Sequence, residues 1–115
     1  MDLEKFKKLK ANYDKLMELA NRAVPSGEFA NQSKSVWFDR QSIEKLLAQT
    51  DEKTGGLKIF FGVYDESTAA DIQSSRPGKE SIGKLTVILT ASDENKSTDL
   101  PDRIMNGGKT CPPDC

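Results

Sequence analysis

Apolar residues recur at every third or fourth position along the first 24 residues of the chain. They are Phe6, Leu9, Tyr13, Leu16, Ala20 and Ala23. This spacing places them on one face of a helix and predicts an amphipathic helix from Leu3 to Val24. Asp2 can cap its start, and Pro25 with Gly27 ends it. Because an apolar stripe needs a cover, we expect this helix to pack on a sheet of its own domain; a coiled coil or a partner helix is the alternative.

Four further segments supply the rest of the fold. Val36 to Phe38 is a short β-prone run, Arg40 to Gln49 is a helix capped by Asp39, and Leu57 to Tyr64 and Lys84 to Thr90 are strands. Residues 57–64 carry apolar side chains on both faces, which predicts a strand that is central in its sheet or covered on both sides.

The order of these segments predicts an α+β fold. We expect a small, mainly antiparallel sheet of three or four strands, packed by a long N-terminal helix and a shorter second helix. The length of 115 residues suits one domain. We place that domain at residues 1–105, and we expect residues 106–115 to form an extended tail rich in Gly, Pro and Cys.

Charge and hydropathy exclude several classes of partner. The chain carries 17 basic and 18 acidic residues, so it lacks the positive footprint of a nucleic-acid-binding protein. Its apolar runs are far shorter than the roughly 18 residues that span a bilayer, so we expect no membrane partner. The charged N-terminus lacks the apolar core of a secretory signal, which predicts a cytoplasmic protein.

The residue types present also limit the catalytic mechanisms that are available. The chain has no histidine, so neither a Ser-His-Asp nor a Cys-His arrangement is available. No phosphate loop, dinucleotide fingerprint or zinc spacing is present. We therefore expect no catalytic residue, cofactor or metal site, and a protein that is not an enzyme.

Both cysteines, Cys111 and Cys115, lie in the last five residues. Four interpretations are open: a disulfide, half of a metal site, a reactive thiol pair, or an extended tail in which Cys111 is a small apolar contact. In a polyproline-like conformation the two Cα atoms would lie about 12 Å apart, beyond the roughly 7 Å limit for a bridge. A disulfide therefore requires a turn or a cis proline.

Three aromatic residues form the candidate binding surface. If Trp37, Phe60 and Tyr64 share an uncovered sheet face, they make an apolar patch suited to a protein partner or to a homodimer. The alternative is that the helix at residues 40–49 covers them.

Four segments carry a resemblance to a known group. They are SVWFD at 35–39, LKIFFGVY at 57–64, LTVILT at 85–90 and NGGKTCPPDC at 106–115. Together they resemble a family of small bacterial proteins of unknown function with a Gly-rich CPPxC tail, and this resemblance implies a family without a mechanism. The sequence thus favours a protein-interaction module; the alternative is a thiol-redox or metal-binding protein acting through Cys111 and Cys115.

Overall fold

The computed structural model describes residues 1–24, 31–69, 82–94 and 103–112. Its elements, in chain order, are α1 (Leu3–Ala23), β1 (Ser35–Trp37), α2 (Arg40–Leu47), β2 (Gly55–Val63), α3 (Glu66–Ala69), β3 (Leu85–Asp93), β4 (Ile104–Met105) and β5 (Lys109–Cys111). Every strand pairing is antiparallel. The predicted α+β fold with a mainly antiparallel sheet is confirmed.

The strands form two sheets. Strands β2, β3 and β4 make a three-stranded sheet in that order, and β1 pairs with β5 in a separate two-stranded sheet. The β2–β3 ladder joins nine consecutive residue pairs, from Gly55 with Asp93 to Val63 with Leu85. Within the described residues β2 is therefore an edge strand. The prediction that it is central or covered on both faces does not hold in the single chain, because a local pattern does not reveal where the next strand lies.

The core lies where α2 meets the middle of β3. Its buried members are Leu46, Leu89 and Ala91, and Phe38, Leu57, Val87 and Met105 pack against them. Helix α2 is set in place at its start, where the Asp39 side chain accepts a hydrogen bond from the Ser42 backbone N–H at 2.9 Å. This cap satisfies an amide that the first helical turn leaves without a partner. The predicted second helix thus packs on the sheet.

Helix α1 differs from its prediction in packing. None of its 21 residues is buried. The partly buried positions Tyr13, Met17 and Ala20 mark the face that touches the domain, and the Tyr13 hydroxyl donates to the Ser33 carbonyl at 2.5 Å. Phe6, Leu9 and Leu16 of the apolar stripe stay 50–58% exposed. A stripe specifies that a face needs covering, but it does not specify what covers it.

Neither α1 nor the other helices among the described residues combine the length and the apolar character needed to cross a membrane.

Two glycines shape the chain before β5. Gly107 adopts a φ of 90°, a left-handed conformation that side chains disfavour. A Cβ atom on Gly108 would lie 2.6 Å from Val36 Cγ1 and 2.8 Å from the Phe38 ring. The absence of a side chain therefore lets β5 approach β1 closely. Residues 109–111 of the predicted tail consequently form a paired strand.

Replacing Gly108 with Ala should destabilise the fold, because the new methyl group would overlap Val36 and the Phe38 ring. Overpacking of this kind costs about 1–3 kcal/mol. Urea denaturation followed by circular dichroism measures the loss. Gly56→Ala is the matched control, since nothing lies within 4 Å of a Cβ atom at Gly56. Equal stability of the two variants would contradict the close approach of β5 to β1.

The cap of α2 predicts a dependence of stability on pH. The side-chain hydrogen bond from Ser42, with backbone amides adding to it, holds the pKa of Asp39 below its ordinary value of 3.8. A lowered folded-state pKa means that the ionised cap stabilises the fold above the unfolded-state pKa, and that this stabilisation is lost as pH falls through the folded-state value. The difference in Tm between the wild type and Asp39→Ala should be larger at neutral pH than at a pH below the folded-state pKa of Asp39. A difference that grows on acidification would contradict the assignment.

Candidate functional site

An apolar groove opens between the two sheets, with a volume of about 490 Å³. Its floor is one face of β2 and β3, its opposite wall is β1 with α2, and its rim includes α1. The lining residues are Tyr13, Ser33, Lys34, Ser35, Val36, Trp37, Phe38, Ile43, Leu57, Ile59, Phe61, Leu85, Thr86, Val87 and Leu89.

The floor follows from strand alternation. Leu57, Ile59 and Phe61 point to the same face because successive side chains of a strand alternate. The register sets Ile59 opposite Leu89 and Phe61 opposite Val87. The β3 residues are the better covered, whereas Phe61 is 88% exposed. The groove is thus closed towards β3 and open towards the β2 edge.

Trp37 forms the opposite wall and is 58% exposed. It pairs across the two-stranded sheet with Lys109, whose Nζ atom lies 5.6 Å from the centre of the indole ring. A cation at this distance is attracted by the ring's electrons and limits the ring's freedom. The tail residue Lys109 therefore helps to hold Trp37 at the mouth of the groove.

Polar groups occur at the rim. Ser33 is buried, and its Oγ atom has no hydrogen-bond partner within the described residues. Tyr13 lies beside it, and burial, with a smaller contribution from the Asp14 charge, raises the pKa of the Tyr13 hydroxyl. Lys34 supplies the positive charge at this end. The positive charge of Lys34 is therefore the polar feature of this end that an entering group can reach.

The rim is fixed to the sheet by Gln32. Its side-chain oxygen accepts hydrogen bonds from the backbone N–H groups of Leu85 at 2.6 Å and of Ser33 at 2.9 Å. Its amide nitrogen donates to the Gly83 carbonyl at 3.1 Å. Nearby, Lys84 Nζ donates to the Asn31 carbonyl. One buried amide thus satisfies three backbone groups and joins residues 31–33 to the start of β3.

Tyr64 belongs to a buried polar network and is only 4% exposed. Its hydroxyl donates to Asn106 Oδ1 at 2.9 Å and accepts from the Thr86 hydroxyl at 3.1 Å. The Asn106 amide in turn donates to the Val87 carbonyl at 2.9 Å. The network fastens the Gly-rich segment after β4 to the end of β2, so the role of Tyr64 is structural.

The three aromatic residues of the predicted binding surface are not brought together on one exposed face. Trp37 lines the groove, Tyr64 is buried in the polar network, and Phe60 is 41% exposed on the face of β2 that points away from the groove. Lys58 Nζ lies 5.7 Å from the centre of the Phe60 ring. Of the three, only Trp37 is both exposed and in the groove.

Cys111 is disulfide-bonded and partly buried at the end of β5, where it pairs with Ser35. The peptide bond between Cys111 and Pro112 is cis. Cys115 lies outside the described residues. Among the residues that the structure does describe, no cluster of three or more His, Cys, Asp or Glu side chains is placed to hold a metal ion.

Sequence reasoning missed four contributors to the site. Strand alternation predicts that Ile59 and Phe61 share one face of β2. It does not predict their exposure, which depends on the position of β2 at the edge of the sheet. Ser33 and Gln32 fall in a polar segment that carried no motif. Pairing between distant strands decides all four positions, and the only local signal was the alternation within β2.

Comparison of the chain with family models, curated proteins and solved structures finds no match. The resemblance to bacterial proteins with a CPPxC tail remains a prediction.

Replacing Tyr64 with Phe should destabilise the fold by about 1 kcal/mol, because the buried Thr86 hydroxyl and the Asn106 side chain each lose a partner. The urea midpoint measures this loss. Phe6→Leu is the control, since that side chain is half exposed on α1 and lies outside the groove lining. An unchanged midpoint for Tyr64→Phe would show that the network does not support the fold.

Proposed function

We propose that this protein is a non-enzymatic protein-interaction module whose apolar groove binds an extended segment of a partner. The observation that carries the proposal is the groove itself, about 490 Å³ in volume and lined mainly by apolar side chains. Contiguous exposed apolar surface of this kind is typical of an interaction site. Trp37 is the expected anchor, because tryptophan in a partly enclosed site contributes much of the binding energy of many interfaces.

The polar groups of the groove suggest how a segment would be oriented. Lys34, which lines the groove, can attract a carboxylate of an entering peptide. The remaining lining is mainly apolar, with hydroxyl groups at Ser35 and Thr86. A fitting ligand is therefore a short segment with two or three apolar side chains and an acidic residue at the Lys34 end.

The same lining supports binding over catalysis. Among the described lining residues, Tyr13 and Lys34 are the titratable ones, and burial raises the pKa of the Tyr13 hydroxyl. A tyrosine hydroxyl with its ordinary pKa of 10.0 is protonated near neutral pH, and the raised pKa of Tyr13 extends this to higher pH. Tyr13 is therefore a hydrogen-bond donor, and it donates to the Ser33 carbonyl. A general base needs a pKa near the working pH, which this arrangement does not favour.

A peptide library displayed on phage tests the proposal directly. Selection on the purified protein should enrich apolar segments with an acidic residue, and synthetic versions should bind in calorimetry. Trp37→Ala should weaken binding by on the order of 10-fold or more, as for a typical anchor residue. Ser33→Ala should leave the fold at least as stable, because it removes a buried hydroxyl that has no partner within the described residues.

Ile104→Ala is the matched control for these measurements. Ile104 is an exposed apolar residue of β4 that does not line the groove. Its replacement should leave peptide affinity unchanged. Failure to enrich a common motif, or equal affinity of the wild type and Trp37→Ala, would contradict the proposal.

A second candidate function is a thiol-redox or metal-binding role of Cys111 and Cys115. The observation that favours a redox role is the disulfide at Cys111. If the protein is cytoplasmic, as the sequence predicts, the surrounding reductants would open most disulfides, and a disulfide that forms there is typically transient or redox-sensing. Thiol counting and native mass spectrometry across a series of redox buffers decide between the functions. Reversible opening near the cytoplasmic potential, or bound metal after reduction, would favour the second candidate.

A further inference from the structure

Within the described residues, the outer edge of β2 carries a row of backbone groups that no other strand pairs. In an antiparallel ladder, residues that bond to the neighbouring strand alternate with residues that face away from it. Glu94 N–H donates to the Thr54 carbonyl and Tyr64 N–H donates to the Lys84 carbonyl, so the even-numbered residues of β2 bond to β3. The odd-numbered residues Leu57, Ile59, Phe61 and Val63 therefore direct their N–H and C=O groups outward.

In the part of the chain that the structure describes, this edge has little of the usual protection against pairing. Natural edge strands are short or carry charges, prolines or bulges. β2 is nine residues long, and within it Lys58 is the single charged residue, with no proline. Ile59, Phe61 and Val63 are all more than half exposed, with Phe61 at 88%. The strand thus presents backbone groups that are unpaired within the described residues. Its side chains are apolar, as is typical of a central strand.

We propose that β2 pairs with β2 of a second copy of the chain, antiparallel and about a two-fold axis at Phe60. The two three-stranded sheets then form one continuous sheet of six strands. In this register Leu57 faces Val63 of the second copy and Ile59 faces its Phe61. All four outward residues of each strand then form reciprocal hydrogen-bonded pairs. A register centred on Ile59 is poorer, because it pairs Gly55, whose N–H already donates to the Asp51 carbonyl.

The strand is complementary to itself in this register. Lys58 faces Gly62 of the second copy, so no like charges are opposed and the long lysine side chain meets the smallest residue of the strand. The two Phe60 rings form an aromatic cross-strand pair at the axis. The remaining pairs are apolar on the groove side of the sheet. A heterologous partner would need to supply this pattern, whereas a second copy already contains it.

The exposed surface is large enough for such a dimer. The exposed fractions are 41% for Phe60, 88% for Phe61, 53% for Ile59 and 60% for Val63. Since a phenylalanine carries roughly 150–250 Å², two copies bring on the order of 900 Å² of side-chain surface to the axis. A specific interface begins at about 1,000 Å². The exposed side-chain surface beside the axis is thus of the order that an interface needs.

Proline at an outward position tests the pairing without breaking the β2–β3 ladder. Ile59→Pro removes an N–H that faces away from β3, so each chain keeps its own strand bonds while the dimer loses two. Light scattering after size exclusion should give twice the 12.7 kDa chain mass for the wild type. Ile59→Pro should raise the dissociation constant on the order of 30-fold or more. Ile59→Val, which keeps the N–H, is the control and should remain dimeric.

A cysteine at the axis tests the register even if the proline variant fails to fold. Residues opposed in a non-hydrogen-bonded pair have Cα atoms about 4.5 Å apart, within disulfide range. Phe60→Cys should form a covalent dimer on oxidation. Lys58→Cys should not, because it faces Gly62 of the second copy instead of itself. Cross-linking of Lys58→Cys but not of Phe60→Cys would overturn the register.

Three results would overturn the proposal itself: a wild type that stays monomeric up to about 1 mM, open-ended oligomers, or a dimer that a folded Ile59→Pro leaves intact. The pairing uses backbone groups of Ile59 and Phe61, whereas the groove uses their side chains together with Trp37 on the opposite wall. Trp37→Ala should weaken peptide binding without changing the mass of the dimer, so failure of one proposal leaves the other testable.

Discussion

The antiparallel ladder between β2 and β3 decides the form of the rest of the molecule. Its nine residue pairs fix which side chains point into the groove and which backbone groups face outward. A shift of one residue would exchange Ile59 and Phe61 for Phe60 and Gly62 on the groove face. Tyr64 would then leave the buried position in which it meets Thr86 and Asn106. The groove, the polar network and the outer edge all follow from one register.

Contacts between distant segments hold the opposite wall of the groove, formed by β1 and α2, in place. Gln32 joins the segment before β1 to the start of β3, and β5 pairs with β1 after the close approach at Gly108. The cation near Trp37 comes from that same strand. The last described residues of the chain therefore build part of the site, although their composition is that of a tail.

The sequence predicted the elements of this fold better than their arrangement. The periodicity of residues 3–24, the Asp39 cap and the alternation at residues 57–64 each depend on neighbours in the chain, and the structure contains the corresponding helix, cap and strand. The position of β2 at an edge depends on pairing across about thirty residues, which no local pattern records. For the same reason, the predicted grouping of Trp37 with Phe60 and Tyr64 on one face does not occur. Strand alternation places Phe60 and Tyr64 on one face of β2, but β1 belongs to another sheet, and Trp37 lines the groove beside the opposite face of β2.

The exposed apolar residues are not equivalent, and their surroundings indicate where docking is favourable. On α1, Lys10 Nζ lies 5.2 Å from the centre of the Phe6 ring, and on the outer face of β2 Lys58 stands over Phe60. Long lysine stems shield apolar surface while their charges stay in water. On the groove face the described neighbours of Ile59 and Phe61 are instead Leu57, Leu85, Val87 and Leu89. Without a lysine among these residues, the groove face and the edge beside it gain the most from exclusion of water.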